Sequence, residues 1–150
     1  GELDSVDLAA LSDYTGDGYS EINRALRKGD PAMPGVSKRA EAISTALAKL
    51  PDHHGQVIRG TDLTAEQIAS YVPGEFRVEA AFTSTTSAAE KAFGGNVLFI
   101  IDSSHGKSVE GYSNVPFESE VLFDRGARFY VHQNRFDPSV SRYVIVLKEV

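Results

Sequence analysis

At 150 residues, with 41% hydrophobic and 24% charged side chains, the chain fits one globular domain with its own core, and disorder or a membrane span is excluded as its class. Its net charge of −6 argues against an extended phosphate-binding surface, nucleic acid included, and leaves room only for a local basic cleft. Cysteine is absent, which excludes disulfides, a thiol nucleophile and a thiolate metal site.

The longest apolar run, Asn96–Asp102, falls far short of the roughly 18 residues that a spanning helix needs. The chain opens at Gly1 with neither an initiator methionine nor a signal peptide, so 1–150 is expected to be one domain cut from something longer.

The first predicted element is a weak helix over Leu3–Leu11, with Leu3, Val6 and Ala10 near one stripe and Leu8 and Leu11 beside it. Ser12–Gly18 reads as a turn. A second helix over Gly18–Arg27 carries Tyr19, Ile22, Asn23 and Leu26 at i, i+3, i+4 and i+7. Asn23 on that stripe must find a polar partner if buried. Lys28–Gly35 is a loop by its Pro and Gly content. Ser37 is expected to cap a helix to Leu50 that turns Ala40, Ile43, Leu47 and Leu50 inward and stops at Pro51. His53 and His54 fall in the following turn, far along the chain from His105 and His132, and no metal is expected.

Gln56–Gly60 reads as a short strand ending near Arg59, and Thr64 with Gln67 as a capping box opening a brief helix to Tyr71. The rest is mostly β: Phe76–Thr85, Asn96–Asp102, Glu120–Asp124, Ala127–Asn134 and Arg142–Glu149. A short helix at Ser87–Phe93, capped by Thr86 or Ser87, interrupts this run. The polar stretch from Ser103 to Phe117 is expected to be a long functional or mobile loop. Helices first and strands later predict an α+β fold.

Two carboxylates one residue apart, Glu118 and Glu120, enter the apolar run Val121–Leu122–Phe123. In an extended chain they share one face and Ser119 takes the other, with their Cβ atoms about 7 Å apart. That spacing lets both serve one substrate while both stay ionised.

Four pieces follow one another along the chain. They are Tyr14–x4–Tyr19–x3–Asn23, Arg59 at a strand end, Phe82–Thr83–Ser84–Thr85–Thr86, and Glu118–x–Glu120. In this order they resemble the bacterial mono-ADP-ribosyltransferase toxins of the Arg–Ser–Glu class. The fit is closest to the arginine-modifying branch related to the actin-directed binary toxins. Tyr14–Arg27 (YTGDGYSEINRALR) is similar to that family's helix opening, Phe82–Thr86 to its aromatic–x–Ser–Thr–Ser strand, and Glu118–Leu122 to its Glu-x-Glu and Val-Leu strand. The resemblance covers about Leu11 to Val150.

The resemblance implies a fold of two small antiparallel sheets packed as a roughly orthogonal sandwich, with flanking helices and an NAD cleft between the sheets. It implies an NAD-dependent protein-arginine mono-ADP-ribosyltransferase, the catalytic domain of a bacterial toxin or secreted effector acting in the cytoplasm of a target cell. NAD is then the co-substrate and no metal is required. The partner is a protein modified on arginine, and an immunity protein is a candidate second partner. Glu120 would stabilise the oxocarbenium-like sugar left as nicotinamide departs, as a fixed carboxylate does in glycoside hydrolysis. Ser84 would orient Glu120, and Arg59 would grip the NAD diphosphate. Gly60, which follows Arg59 where several relatives carry a second basic residue, and Thr85 join the NAD-binding set.

Tyr14, Tyr19 and Asn23 map onto the helix that closes over NAD, although Tyr19 also fits a core position. Phe93 matches the ring that stacks on nicotinamide, or else is a core residue ending a short helix. Glu118 stands where arginine-directed members carry Glu, and can hold a guanidinium and help withdraw its proton. Val115 occupies a place where many relatives have a target-contacting aromatic, for which Tyr112 or Phe117 could substitute. The competing readings are an NAD glycohydrolase on the same fold and a non-catalytic NAD- or target-binding module. The presence of both glutamates, Ser84 and Arg59 speaks against the module.

Overall fold

The computed structural model describes residues 3–14, 22–24, 26, 36–88, 94–109 and 119–150. Its first helix, α1 (Ser5–Asp13), opens with a reciprocal cap in which Asp4 Oδ1 accepts from the Asp7 N–H at 2.8 Å and Asp7 Oδ2 accepts from the Asp4 N–H at 3.0 Å. The expected apolar stripe is rotated. Val6 and Leu8 are 66% and 43% exposed, whereas Asp7, Ala10, Leu11 and Tyr14 point inward at i, i+3, i+4 and i+7. The buried acid is tolerated because Lys49, just past the helix that ends at Ala48, reaches Asp7 Oδ2 at 2.5 Å. The helix also runs on through Ser12 and Asp13, where a turn was expected.

Residues 22–24 and 26 are helical, within the second helix predicted. Helix α2 (Val36–Ala48) buries Ala40, Ile43 and Leu47, followed by Leu50, as its spacing predicts. Helix α3 (Ala65–Ala69) has the predicted capping box, with Thr64 and Gln67 exchanging side-chain to backbone hydrogen bonds.

The described residues form seven strands: β1 (Asp52–Thr61), β2 (Phe76–Glu79), β3 (Thr83–Thr86), β4 (Val97–Ser108), β5 (Glu120–Phe123), β6 (Ala127–Asp137) and β7 (Arg142–Glu149). They form one hydrogen-bonded sheet in the order β1-β3-β5-β4-β7-β6-β2, with a further β1–β4 pairing that closes β1, β3, β5 and β4 into a ring. All the pairings are antiparallel except β4 with β7, which is parallel.

Three expectations are corrected. The strand predicted over Phe76–Thr85 is two strands on opposite wings, β2 beside β6 and β3 beside β5. The break falls at 80–82, where Phe82 gives its N–H to the Asn23 side chain and Ala81 and Phe82 sink into the core. His53 and His54 lie in β1, not in a turn, because the strand begins at Asp52 opposite Lys107 and absorbs a bulge between His53 and Gly55. Gly55 has φ +122°, a conformation that suits glycine.

The loop predicted from Ser103 is strand as far as Ser108. Strand β4 pairs with β7 over Val97–Asp102 and then hands Lys107 and Ser108 to β5. The bend between these partners is pinned by buried Glu149, whose Oε1 accepts the N–H groups of Ser104 at 2.7 Å and His105 at 2.6 Å. At Gly106 an added Cβ would lie 2.7 Å from Ser103 Oγ and 2.8 Å from Val121 Cγ1, so the bend leaves no room for a side chain.

Two cores result, and β5 separates them. Leu122 packs with Leu11, Tyr14, Ile22, Ile43, Leu47 and Phe82 on the helical side. Val121 and Phe123 pack with Val57, Phe99, Ile101, Phe129, Ile145 and Leu147 inside the curled sheet. Each large apolar side chain buried in this way contributes roughly 1.5–3 kcal/mol. Glu120 has the same strand parity as Leu122 and therefore faces the helices.

Candidate active site

Glu120 is the first residue of β5 and is 9% exposed, with its Oε1 shielded from solvent. Its backbone is held from two sides. It stands opposite Thr86 across the β3–β5 pair, and its carbonyl accepts the Val109 N–H at 3.1 Å. Just before it, Ser119 adopts φ +66°, in the left-handed region, and its carbonyl accepts the Ser87 N–H at 2.9 Å. Strand β5 thus begins at Glu120, directly after this left-handed residue. Glu118 lies outside the described residues, as do Tyr19, Phe93, Tyr112, Val115 and Phe117, and 89–93 of the predicted helix.

Strand β3 presents Ser84 on the face shared by Thr86, Glu120 and Leu122, with Ser84 paired to Leu122. Thr85 takes the other face, and its hydroxyl donates to the Val121 carbonyl at 2.7 Å, so it clamps β3 to β5 and is itself buried. Arg59 on β1 donates through Nη1 to the Ser84 carbonyl at 3.1 Å. Gly60, the next residue, sits opposite Leu98 in the β1–β4 pair.

Tyr14 and Asn23 come together behind this strand pair. Asn23 Nδ2 donates to the Tyr14 hydroxyl at 2.9 Å and Asn23 Oδ1 accepts the Phe82 N–H at 3.0 Å, which satisfies the polar group the sequence put on an apolar stripe. The Tyr14 ring meets Phe82 edge to face at 5.2 Å and is 1% exposed. Burial pushes the phenol above its ordinary value of 10.0; hydrogen bonds with Asn23 and Ser84 and the charge of Arg59 oppose that rise, and the charge of Glu120 adds to it. Tyr14 thus stays protonated at neutral pH. Arg59 on the Ser84 carbonyl, and Ser84 and Glu120 on one face of the β3–β5 pair, bring together three residues widely separated in sequence.

Beside Arg59 lies a cavity of about 500 Å³ with an apolar floor that includes Phe99, Ile101, Phe129 and Leu147. Small-molecule sites span roughly 300–1,000 Å³. Its rim carries a group that sequence reasoning missed. Tyr71 donates to Glu79 Oε1 at 2.7 Å, Arg77 Nε reaches the same oxygen at 2.8 Å, and the Arg77 guanidinium lies 4.0 Å from the centroid of the Tyr71 ring. The alternation of Phe76–Glu79, which turns Arg77 and Glu79 to one side, was the available signal.

A buried carboxylate fixed beside a hydroxyl, with a guanidinium at the cavity mouth, is suited to holding an anionic ligand and stabilising positive charge that develops on it. Helices over one end of a curled sheet and this Arg–Ser–Glu cluster define an ADP-ribosyltransferase-type fold.

The chain belongs to the ADP-ribosyltransferase exoenzyme family, whose sequence profile matches residues 1–149. It is 46% identical over 151 residues to Mav of Mycobacterium avium (strain 104), a protein assigned by name to the NAD(+)–arginine ADP-ribosyltransferases, in a match covering 98% of this chain and 18% of that protein. It is 35% identical over 145 residues to the NAD(+)–protein-arginine ADP-ribosyltransferase Tre1 of Pseudomonas putida (strain GB-1), covering 95% of this chain and 29% of Tre1. The chain thus spans less than a third of either relative. Among solved structures it is similar to the ADP-ribosyltransferase Vis in complex with agmatine, with a TM-score of 0.81 and 26% identity over 98% of this chain and 75% of that one.

Proposed function

We propose that this chain is the catalytic domain of an NAD-dependent protein-arginine mono-ADP-ribosyltransferase, acting as a toxin or secreted effector in the cytoplasm of a target cell. The observation that carries the reading is the convergence of Glu120, Ser84 and Arg59, with Glu120 buried and fixed at the start of β5. In this reading the two wings that share β4 are the orthogonal pair of sheets of the fold, and NAD enters between them with its diphosphate on Arg59. The cavity beside Arg59 has room for part of a nucleotide.

The reaction breaks the bond between nicotinamide nitrogen and ribose C1′. The bonding pair leaves with nicotinamide, which becomes neutral, and positive charge develops on the sugar. The Glu120 carboxylate stabilises that charge, oriented by the Ser84 hydroxyl. A guanidine nitrogen of the target arginine then forms the new bond to C1′ and loses one proton. Glu118, two residues earlier in the sequence, is assigned the guanidinium contact and the acceptance of that proton.

The relatives' names support arginine as the acceptor, and so does the Vis structure with agmatine, a compound that carries a guanidinium. The family's description as exoenzymes accords with action outside the producing cell. The test is incubation with isotope-labelled NAD and a cell lysate, followed by mass spectrometry of the labelled protein. ADP-ribose on an arginine is the expected result; ADP-ribose on Asn, Cys or Thr overturns the assignment, and NAD consumption with no labelled protein points to the glycohydrolase.

A further inference from the structure

We infer that Tyr14 and Asn23 act as positioning residues that hold Ser84, and through it Glu120, and that they do not contact NAD. The inference rests on the activity proposed above and assigns these two residues a role different from the nucleotide contact that the family pattern suggests.

A side-chain amide has one acceptor end and one donor end, and the Phe82 N–H can only donate, so Asn23 must turn its oxygen to Phe82 and its nitrogen to Tyr14. Both ends of the amide are thereby engaged inside the protein. The Tyr14 oxygen accepts from Asn23, and the Asn23 oxygen holds the Phe82 N–H, two residues before Ser84 on the approach to β3.

Burial reinforces this. Tyr14 is 1% exposed and Asn23 6%, with Phe82 against the Tyr14 ring, so a ligand would have to open the helical core to touch either one. The contacts tie Tyr14 through Asn23 to the Phe82 backbone at the entry to β3, the strand that carries Ser84 on the face Glu120 shares. Fixing a hydroxyl in this way sets the rotamer of the carboxylate it serves, which matters for the chemical step more than for affinity.

The test compares wild type with Tyr14→Phe and Asn23→Asp. The first variant keeps the ring and removes the proton. The second keeps the acceptor for Phe82 but removes the donor to Tyr14 and turns the Tyr14 hydroxyl to donate a hydrogen bond to the new carboxylate. Nicotinamide release gives kcat and KM for NAD, calorimetry gives NAD affinity and stoichiometry, and thermal unfolding checks the fold. Each variant should lose about tenfold in kcat, the effect of one well-placed hydrogen bond. NAD affinity and a stoichiometry of one per chain should stay at the wild-type values. The double variant should lose little more than either single one, because both act on one chain of contacts. Weakened NAD binding with kcat intact would show direct contact and overturn the inference, as would full additivity. A kcat loss matched by a fall in binding stoichiometry would show damage to the fold and also overturn it. A wild-type protein inert towards NAD would instead sink the activity reading, and this inference with it.

Discussion

The guanidinium of Arg59 donates to the backbone carbonyl of Ser84 at 3.1 Å, so the cation assigned to the NAD diphosphate is tied to the strand that carries the serine. That contact joins β1 to β3 close to the single register pair between them, Ile58 with Thr86. Under the proposed roles, a change at Arg59 is expected to reach Ser84 through this contact.

Replacing Arg59 should act on both. Arg59→Ala is expected to weaken NAD binding by roughly tenfold or more through loss of a charge-assisted contact of about 1.5–3 kcal/mol. Arg59→Lys should recover only part of it, since an ammonium lacks the planar fork. Calorimetry decides the matter; equal NAD affinity in wild type and Arg59→Ala would remove Arg59 from the site.

Glu118 should separate the two halves of the reaction. If it serves the acceptor and Glu120 the sugar, Glu118→Gln cuts transfer to protein severely while sparing much of the slow hydrolysis of NAD by water. Parallel measurement of labelled protein and released nicotinamide checks this. Equal loss of both would contradict the division of labour.

The contact between α1 and α2 should be visible as a pH dependence. The hydrogen bond from Lys49, and then the Asp4 backbone, hold the Asp7 carboxyl below its ordinary 3.8, and Asp7 in turn raises the Lys49 ammonium above 10.5. Asp7 thus contributes stability that is complete above about pH 3.8 and is lost as acid titrates it below that value; Lys49 contributes below pH 10.5 and is lost as base titrates it above. Asp7→Asn should lower Tm at neutral pH, and the gap to wild type should close below pH 3.8. A gap independent of pH would contradict the pairing.

The bend in β4 gives a stability prediction. Glu149→Ala strands two backbone N–H groups, at Ser104 and His105, and should cost about 2 kcal/mol or more. Glu149→Gln keeps an acceptor oxygen and should cost less. Denaturant unfolding measures both, and indifference to Glu149→Ala would mean that the bend is held by other contacts.

Much of this was legible in the sequence. Strand β7 runs from Arg142 to Glu149, the bounds predicted, and the Thr64–Gln67 capping box opens α3. Asn23 on an apolar stripe announced a buried polar contact, and the structure supplies both partners. What was missed depends on residues distant in the chain. Asp7 is buried only because Lys49 lies 42 positions on, so the inward face of α1 could not be read from its own residues. The split of Phe76–Thr85 falls where Phe82 gives its N–H to Asn23, 59 positions away, and each half pairs with a strand far along the chain.

The central claim is that the Glu120 carboxylate drives cleavage of NAD for transfer to arginine, and nicotinamide release with agmatine as acceptor tests it most directly. Gln keeps the shape of Glu without its charge, so Glu120→Gln should bind NAD and fold as wild type does. Its turnover, and its yield of ADP-ribosyl-agmatine, should fall on the order of 100- to 1,000-fold. Wild type should form that product readily. Retention of most of the wild-type rate by Glu120→Gln would contradict the account.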